Sequence, residues 1–319
     1  MQDDNRNLIL AIVLSLGVLL AWGFLFPPPE PPQVTEEQQT DRSGESAPGP
    51  AAPQTGAPET AAPQPAAPGA PTAPAAPGQA ATVATDSAQG GPRIAIETPA
   101  LEGSIALVGG RLDDLKLLRY RETVDPDSPV IRLLSPLGTE NPYYIETGWQ
   151  PRAGDPTPVP RADSRWRATS TGPLTVDNPV RLVWENGAGL TFVREIAVDT
   201  DYMFTVTQRV QNNGTAPVEL FPYALIHRRG QPEISGFFIL HEGFLGVFDE
   251  TLEEVDYDDL EDEPAYNYQS TGGWLGITDK YWLTALIPDQ SAPFSGRFSG
   301  SATPGAEIYQ ADYLREGQM

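Results

Sequence analysis

Cysteine is absent from all 319 residues. Disulfides, thiolate zinc sites and a thiol nucleophile are thereby excluded. The chain is compatible with either redox compartment, and its core must supply stability alone. Basic residues are scarce: 20 Lys and Arg stand against 43 Asp and Glu, a formal net charge of -23. That balance argues against nucleic acid as a partner, because a polyanion is repelled. It also argues against a surface that hugs anionic lipid headgroups. Only two histidines occur, His227 and His241, without a helical spacing that would pair them on a metal. Each reads as a strand-end or loop histidine. No Gly-x-Ser-x-Gly elbow and no phosphate-cradling glycine loop is found. No catalytic, cofactor-binding or metal-ligating residue is assigned, and no cofactor is expected.

One long apolar run is present. From Leu8 to Phe26 nineteen residues carry no charge. As a helix they span about 28 Å, close to a hydrocarbon core of about 30 Å. Trp22 lies near the far end, where an aromatic ring suits the headgroup boundary. Pro27, Pro28 and Pro29 then stop the helix. A cleaved signal peptide is the competing reading. It wants a basic leader and a small-x-small exit site. Here the leader "MQDDNRN" holds Asp3, Asp4 and Arg6, and Ala21-Trp22-Gly23 lies inside the apolar run. The pattern favours a retained transmembrane helix over residues 8–26. Arg6 on the near side, against Arg42 alone in residues 27–92, leans toward a cytoplasmic N-terminus with the remainder outside.

Residues 27–92 lack Leu, Ile, Phe, Tyr and Trp, and only Val34 and Val83 are bulky aliphatics. Such a segment cannot bury enough apolar area to offset its ordering entropy. Its Pro/Ala/Gly-rich "AAP" and "APG" steps favour extended, polyproline-like conformations. A disordered, semi-stiff linker is expected. A ligand for a proline-reading domain is the minor alternative.

From Arg93 the apolar and aromatic residues return, and alternation with period two recurs. "RIAIE" shows it, and in "LEGSIALVGG" Leu101, Ile105 and Leu107 share a face. "RLVWENGAGLTFVREIAV" reads as a hairpin turning at Glu185–Gly189, where Asn186-Gly187 accepts positive φ. In "DYMFTVTQRVQNNG", Tyr202, Phe204, Val206 and Val210 oppose Thr205, Thr207 and Arg209. "APVELFPYALIHR" continues in that style. No long apolar pattern of period 3.6 follows the first helix. The fold class is mostly β: a large antiparallel sandwich over residues 93–319, 227 residues and enough for a sizeable core.

Three stretches stand out within it. "DETLEEVDYDDLEDE" (249–263) holds ten acids and no base. Asp256, Asp258 and Glu261 alternate imperfectly and lack the glycine of a calcium loop, so a solvated acidic connection is expected. Asn213-Gly214-Thr215 fits a glycosylation acceptor but reads as a turn. "STGGWLGITDKYWLTALIP" packs Trp274, Leu275, Ile277, Tyr281, Trp282, Leu283, Leu286 and Ile287 behind Gly272-Gly273. A core strand pair turning near Thr278–Lys280 is expected. Display of the rings to a sugar or a partner chain is the alternative.

Four passages together resemble the N-terminal portion of the YidC/Oxa family of bacterial inner-membrane protein insertases. They are "MQDDNRNLILAIVLSLGVLLAW", "IETPALEGSIALVGGRLDDLKLLRY", "GLTFVREIAVDTDYMFTVTQRVQNNGTAPVEL" and "GGWLGITDKYWLTALIP". The resemblance covers the whole chain in order, with the linker as a variable insert. It implies a periplasmic β-supersandwich similar to sugar-mutarotase-like domains. It implies an insertase and chaperone for integral inner-membrane proteins, working alone or with the Sec translocon. The partners would be nascent inner-membrane proteins, Sec components and the lipid bilayer. In that family the work falls to five later membrane helices that form a hydrophilic groove, without covalent chemistry. After Phe26 this sequence has no second apolar run of eighteen residues. The resemblance therefore implies a fragment ending inside the periplasmic domain, with a sandwich short of its closing strands and an unpaired edge.

Two other readings stay open from the residues alone. One is a single-span protein carrying an exported carbohydrate-binding or sugar-isomerising sandwich, which needs an acid–base pair across a cleft. The other is an anchored scaffold of the cell envelope.

Overall fold

The computed structural model describes residues 91–231, 241–301 and 307–316. The expected membrane helix and the linker lie outside them. Among the described residues no helix is long and apolar enough to cross a membrane.

Seventeen strands and one short helix follow in chain order. The first nine strands are β1 (Arg93–Glu97), β2 (Leu101–Ala106), β3 (Leu112–Arg121), β4 (Val130–Leu134), β5 (Tyr143–Pro151), β6 (Arg167–Ala168), β7 (Val180–Glu185), β8 (Leu190–Val198) and β9 (Phe204–Asn212). Then come β10 (Leu220–Arg229), β11 (Gly243–Phe248), β12 (Thr251–Asp256), α1 (Asp259–Asp262), β13 (Ala265–Thr271), β14 (Gly273–Asp279), β15 (Trp282–Leu286), β16 (Pro293–Ser301) and β17 (Ile308–Arg315). They build three sheets whose neighbouring strands pair antiparallel. The nine-stranded sheet runs β1-β2-β3-β5-β10-β17-β16-β13, with β4 added on β3. Two four-stranded sheets run β12-β11-β14-β15 and β6-β7-β8-β9.

Both small sheets lie on one face of the large one. Gln208 on β9 donates to the Gly148 carbonyl on β5 (2.9 Å), and Trp149 on β5 meets Phe192 on β8 edge to face at 5.1 Å. On the same face β15 packs over β10 and β14 over β17. One hydrophobic cluster joins all three sheets, from Ile96 and Leu182 through Ile226 to Phe244, Leu275 and Phe298. The mostly antiparallel β-sandwich expected from period-two alternation is the fold observed.

Local chemistry explains several elements. The β7–β8 hairpin turns where expected. The Asn186 side-chain oxygen accepts from the Ala188 and Leu190 amides (2.8 and 3.0 Å), and Gly187 supplies φ of 72°. In β9 the alternation holds, but Val206 is exposed, because β9 is an edge strand of its sheet.

β10 departs from the expected alternation. Pro222 to His227 are all buried. Leu220, Ala224 and Ile226 enter the main core, while Tyr223 and Leu225 join a second small cluster with Tyr144 and Leu314 on the opposite face. A strand covered on both faces reads as a continuous apolar run.

The final strand corrects another expectation. β17 is no unpaired edge; it is hydrogen-bonded to β10 on one side and β16 on the other. The edges of the large sheet are β1 and β13. Tyr309 and Ala311 are buried on one face of β17. Gln310 and Asp312 are in fact buried too, held by side-chain bonds.

The acidic stretch is also more ordered than expected. Within 249–263 it forms edge strand β12 and helix α1, because Val255, Tyr257 and Leu260 are buried anchors among the acids.

Candidate functional site

A cavity of about 260 Å³ opens where the two small sheets meet. Its floor comes from the large sheet: Leu112 and Leu115 of β3, Ile145 and Thr147 of β5, Ala224 of β10 and Tyr313 of β17. One wall is Phe204 and Val206 of β9 with Tyr202 and Met203 before them. The other wall is Leu283 to Leu286 of β15 with Ile287 beyond. At one end Tyr120 of β3 reaches both walls, with its ring 4.9 Å from that of Trp282 and 6.3 Å from that of Tyr202. A polar pocket continues past Ile287 toward Gln208, Asp289 and Arg315.

The lips are apolar and wet. Met203, Val206, Leu283 and Ile287 are 51%, 39%, 45% and 53% exposed. They are four of the nine bulky apolar side chains left exposed among the described residues. The lining includes no carboxylate and no imidazole, so no acid–base pair faces this cavity.

Its only charged side chain is Arg194, on β8 at the back. Arg194 is buried and donates to the Gly110 carbonyl (2.6 Å) and to the Thr147 carbonyl. Its guanidinium lies 4.6 Å from the Trp166 ring centroid. Burial lowers its pKa to about 10, which leaves it charged at neutral pH. Arg194 thereby pins β8 to the large sheet.

The opposite face of the large sheet carries a second polar group. The Arg111 Nε lies 3.0 Å from a Glu146 carboxylate oxygen, and Arg111 also donates to the Ala162 carbonyl (2.7 Å). The Tyr223 hydroxyl donates to the other Glu146 oxygen (3.0 Å). Tyr223 pairs with Gly148 across the ladder, and a Cβ there would sit 2.6 Å from the Tyr223 ring, so the strand needs glycine at this point. Further along, Arg297 holds Asp312 (2.8 Å) with help from Gln310 (2.7 Å). Burial still pushes Asp312 up to about 6.

The two histidines separate in the structure. His227 is no strand-end residue. It sits within β10, stacked on the Tyr144 ring at 4.7 Å, because both faces of β10 are covered. His241 precedes β11 and bonds the Phe244 carbonyl at 2.7 Å, with Asp256 3.0 Å away. Among the described residues no group of three His, Asp or Glu could hold a metal ion.

Burial, and then the Arg111 charge, lowers the His227 pKa to about 4 from 6.5. Between those values the unfolded chain takes up a proton that the native state refuses, so His227 withdraws stability as pH falls through that window. Asp312 works in the opposite sense, because its raised pKa favours the native state on acidification. His227→Phe keeps a ring on Tyr144 and removes the first effect. Urea midpoints at pH 7 and pH 4.5 should show the variant losing about 2–3 kcal/mol less than the parent on acidification. Equal losses would show that His227 does not titrate as its burial requires.

The segment "STGGWLGITDKYWLTALIP" forms the expected strand pair, with its turn just past the expected Thr278–Lys280. It is the β14–β15 hairpin, turning at Lys280–Tyr281, with Leu275, Ile277 and Leu286 in the core. It also displays Tyr281 (71% exposed), Leu283 and Ile287. The roles of Arg194, Arg111 and Glu146 escaped sequence reading, because their partners are distant in the chain.

Three antiparallel sheets around one core, with an apolar groove between two strand edges, define an all-β sandwich domain. The chain belongs to the YidC periplasmic domain family, whose model matches residues 93–319. It is 46% identical over 318 residues to a Bradyrhizobium diazoefficiens protein named membrane protein insertase YidC, covering 98% of this chain and 51% of that protein. A Nitrobacter hamburgensis protein of the same name is 46% identical over 319 residues, covering 100% of this chain and 50% of its own length. One from Dinoroseobacter shibae is 44% identical over 328 residues, covering 98% and 50%. The chain thus spans about half the length of the curated relatives it matches.

Proposed function

We propose that this chain is the N-terminal part of an insertase that assists insertion, folding and assembly of integral inner-membrane proteins. The observation that carries the reading is the family match over residues 93–319, supported by relatives named membrane protein insertase. In this reading residues 8–26 cross the inner membrane from a cytoplasmic N-terminus. Residues 27–92 act as a tether, and residues 93–319 stand in the periplasm. The partners are nascent inner-membrane proteins, the bilayer and Sec translocon components. The work is non-covalent: it lowers the barrier for moving polar segments through hydrocarbon, which costs several kcal/mol for each unsatisfied group.

The sandwich serves as the docking surface. Its groove offers exposed apolar side chains and no acid–base pair, which suits recognition better than sugar chemistry. Photo-crosslinking from position 281 or 287 of the full-length protein in intact membranes tests this. Adducts with Sec components or with arrested membrane-protein chains are expected. Adducts confined to lipid would overturn the docking role, and normal membrane-protein insertion after depletion would overturn the insertase reading.

A further inference from the structure

The groove is flanked by two edge strands as well as by apolar side chains. Among the described residues β9 pairs only with β8, and β15 pairs only with β14. Residues of β9 and of β15 line the cavity from its two walls, so both edges border it. The β14–β15 turn has two residues, so Asp279 and Trp282 close it as a hydrogen-bonded pair. Counting along the ladder, Thr284 also bonds β14. Leu283 and Ala285 then turn their N–H and C=O groups away from β14, toward the groove.

Whereas β9 bears the exposed Arg209, the β15 edge lacks the guards that exposed strands carry. The far edge of the same sheet, β12, bears Glu253, Glu254 and Asp256. β15 bears no charge. In a chain with 43 acids, a lining free of carboxylate complements an uncharged occupant. An acyl chain would fill the apolar floor and leave the backbone groups of the edge without partners. An extended peptide satisfies both.

We infer that the groove binds an extended, uncharged polypeptide segment of another protein, added as a further strand on β15, with alternate apolar side chains on the floor. β15 has five residues, which sets a recognition length of about five or six residues, roughly 17–20 Å. The inference stands apart from the insertase reading, since either can fail without the other.

The test uses the full chain in lipid nanodiscs and a fluorescent, end-blocked hexapeptide of alternating valine and threonine, read by anisotropy. The same peptide N-methylated at alternate residues keeps its side chains and loses its donors. Binding of the first peptide is expected, with affinity for the methylated one about tenfold lower or worse. Ala285→Pro removes an outward donor without touching the ladder to β14, and should weaken binding to a similar degree. Its urea midpoint should stay unchanged. Leu283→Lys adds the missing guard charge and should do the same. No binding, equal binding of the methylated peptide, or equal binding by Ala285→Pro would overturn the inference. Displacement of the peptide by a monomeric alkyl detergent alone would point to a lipid site and also overturn it. A concentration-dependent dimer that Leu283→Lys dissociates would assign the edge to a second copy instead.

Discussion

Glu146→Ala is expected to lower folding stability by about 3–5 kcal/mol, read from urea unfolding of the chain by tryptophan fluorescence. Arg111 and Glu146 are 2% and 6% exposed, and the carboxylate also accepts from Tyr223. Truncation leaves a guanidinium buried without its counter-charge and a buried hydroxyl without its acceptor. The destabilisation comes from those orphaned groups, since a buried ion pair has itself been desolvated. The double variant Arg111→Met, Glu146→Met should therefore recover most of the loss. A single-variant loss below about 1 kcal/mol, or a double variant as unstable as the single one, would refute this account.

Arg194→Ala should be of similar size, about 3–5 kcal/mol, by a different route. It strips donors from the Gly110 and Thr147 carbonyls and takes a cation off the Trp166 ring. It also opens a void between β8 and the large sheet. Arg194→Leu refills much of that volume without the donors, so it should recover only the cavity part. Arg194→Lys keeps the charge, but a single ammonium cannot reproduce the planar fork that reaches two carbonyls. It should recover less than half. If Arg194→Leu proved as stable as the parent, the carbonyl bonds would contribute nothing beyond filling space.

Much of the scaffold was legible because its signals are local. Asn186-Gly187 between alternating runs marks a two-strand hairpin, and the turn falls there, with Gly187 and Gly189 at positive φ and Asn186 acting through its side chain. Gly272-Gly273 ahead of a dense aromatic segment marks the β14–β15 hairpin. β10 was less legible, because period-two reasoning assumes one wet face, and its centre has none. His227 was misread for that reason. The acidic run hid its order because three apolar anchors were outvoted by ten acids. The groove was half legible. The exposed side chains after Gly273 suggested display, but the meeting of β9 with β15 depends on how two sheets sit on a third, and no short-range pattern encodes that. The clamps formed by Arg111 and Arg194 were invisible for the same reason: Arg194 meets carbonyls at positions 110 and 147.

The central place of β17 constrains when this molecule can become native. Tyr223 pairs with Leu314, and Phe298 with Ala311, so among the described residues β10 and β16 are joined only through β17. A chain delivered from its N-terminus holds β10 ready long before its neighbour exists. Until residues 308–315 emerge, Arg297 waits for Asp312, and the two halves of the large sheet have no seam. Such late, distant pairings are slow to form and leave adhesive edges open meanwhile. The domain is thus a timed device: its large sheet locks only after residues 308–315 have been synthesised and delivered to the same place as β10 and β16.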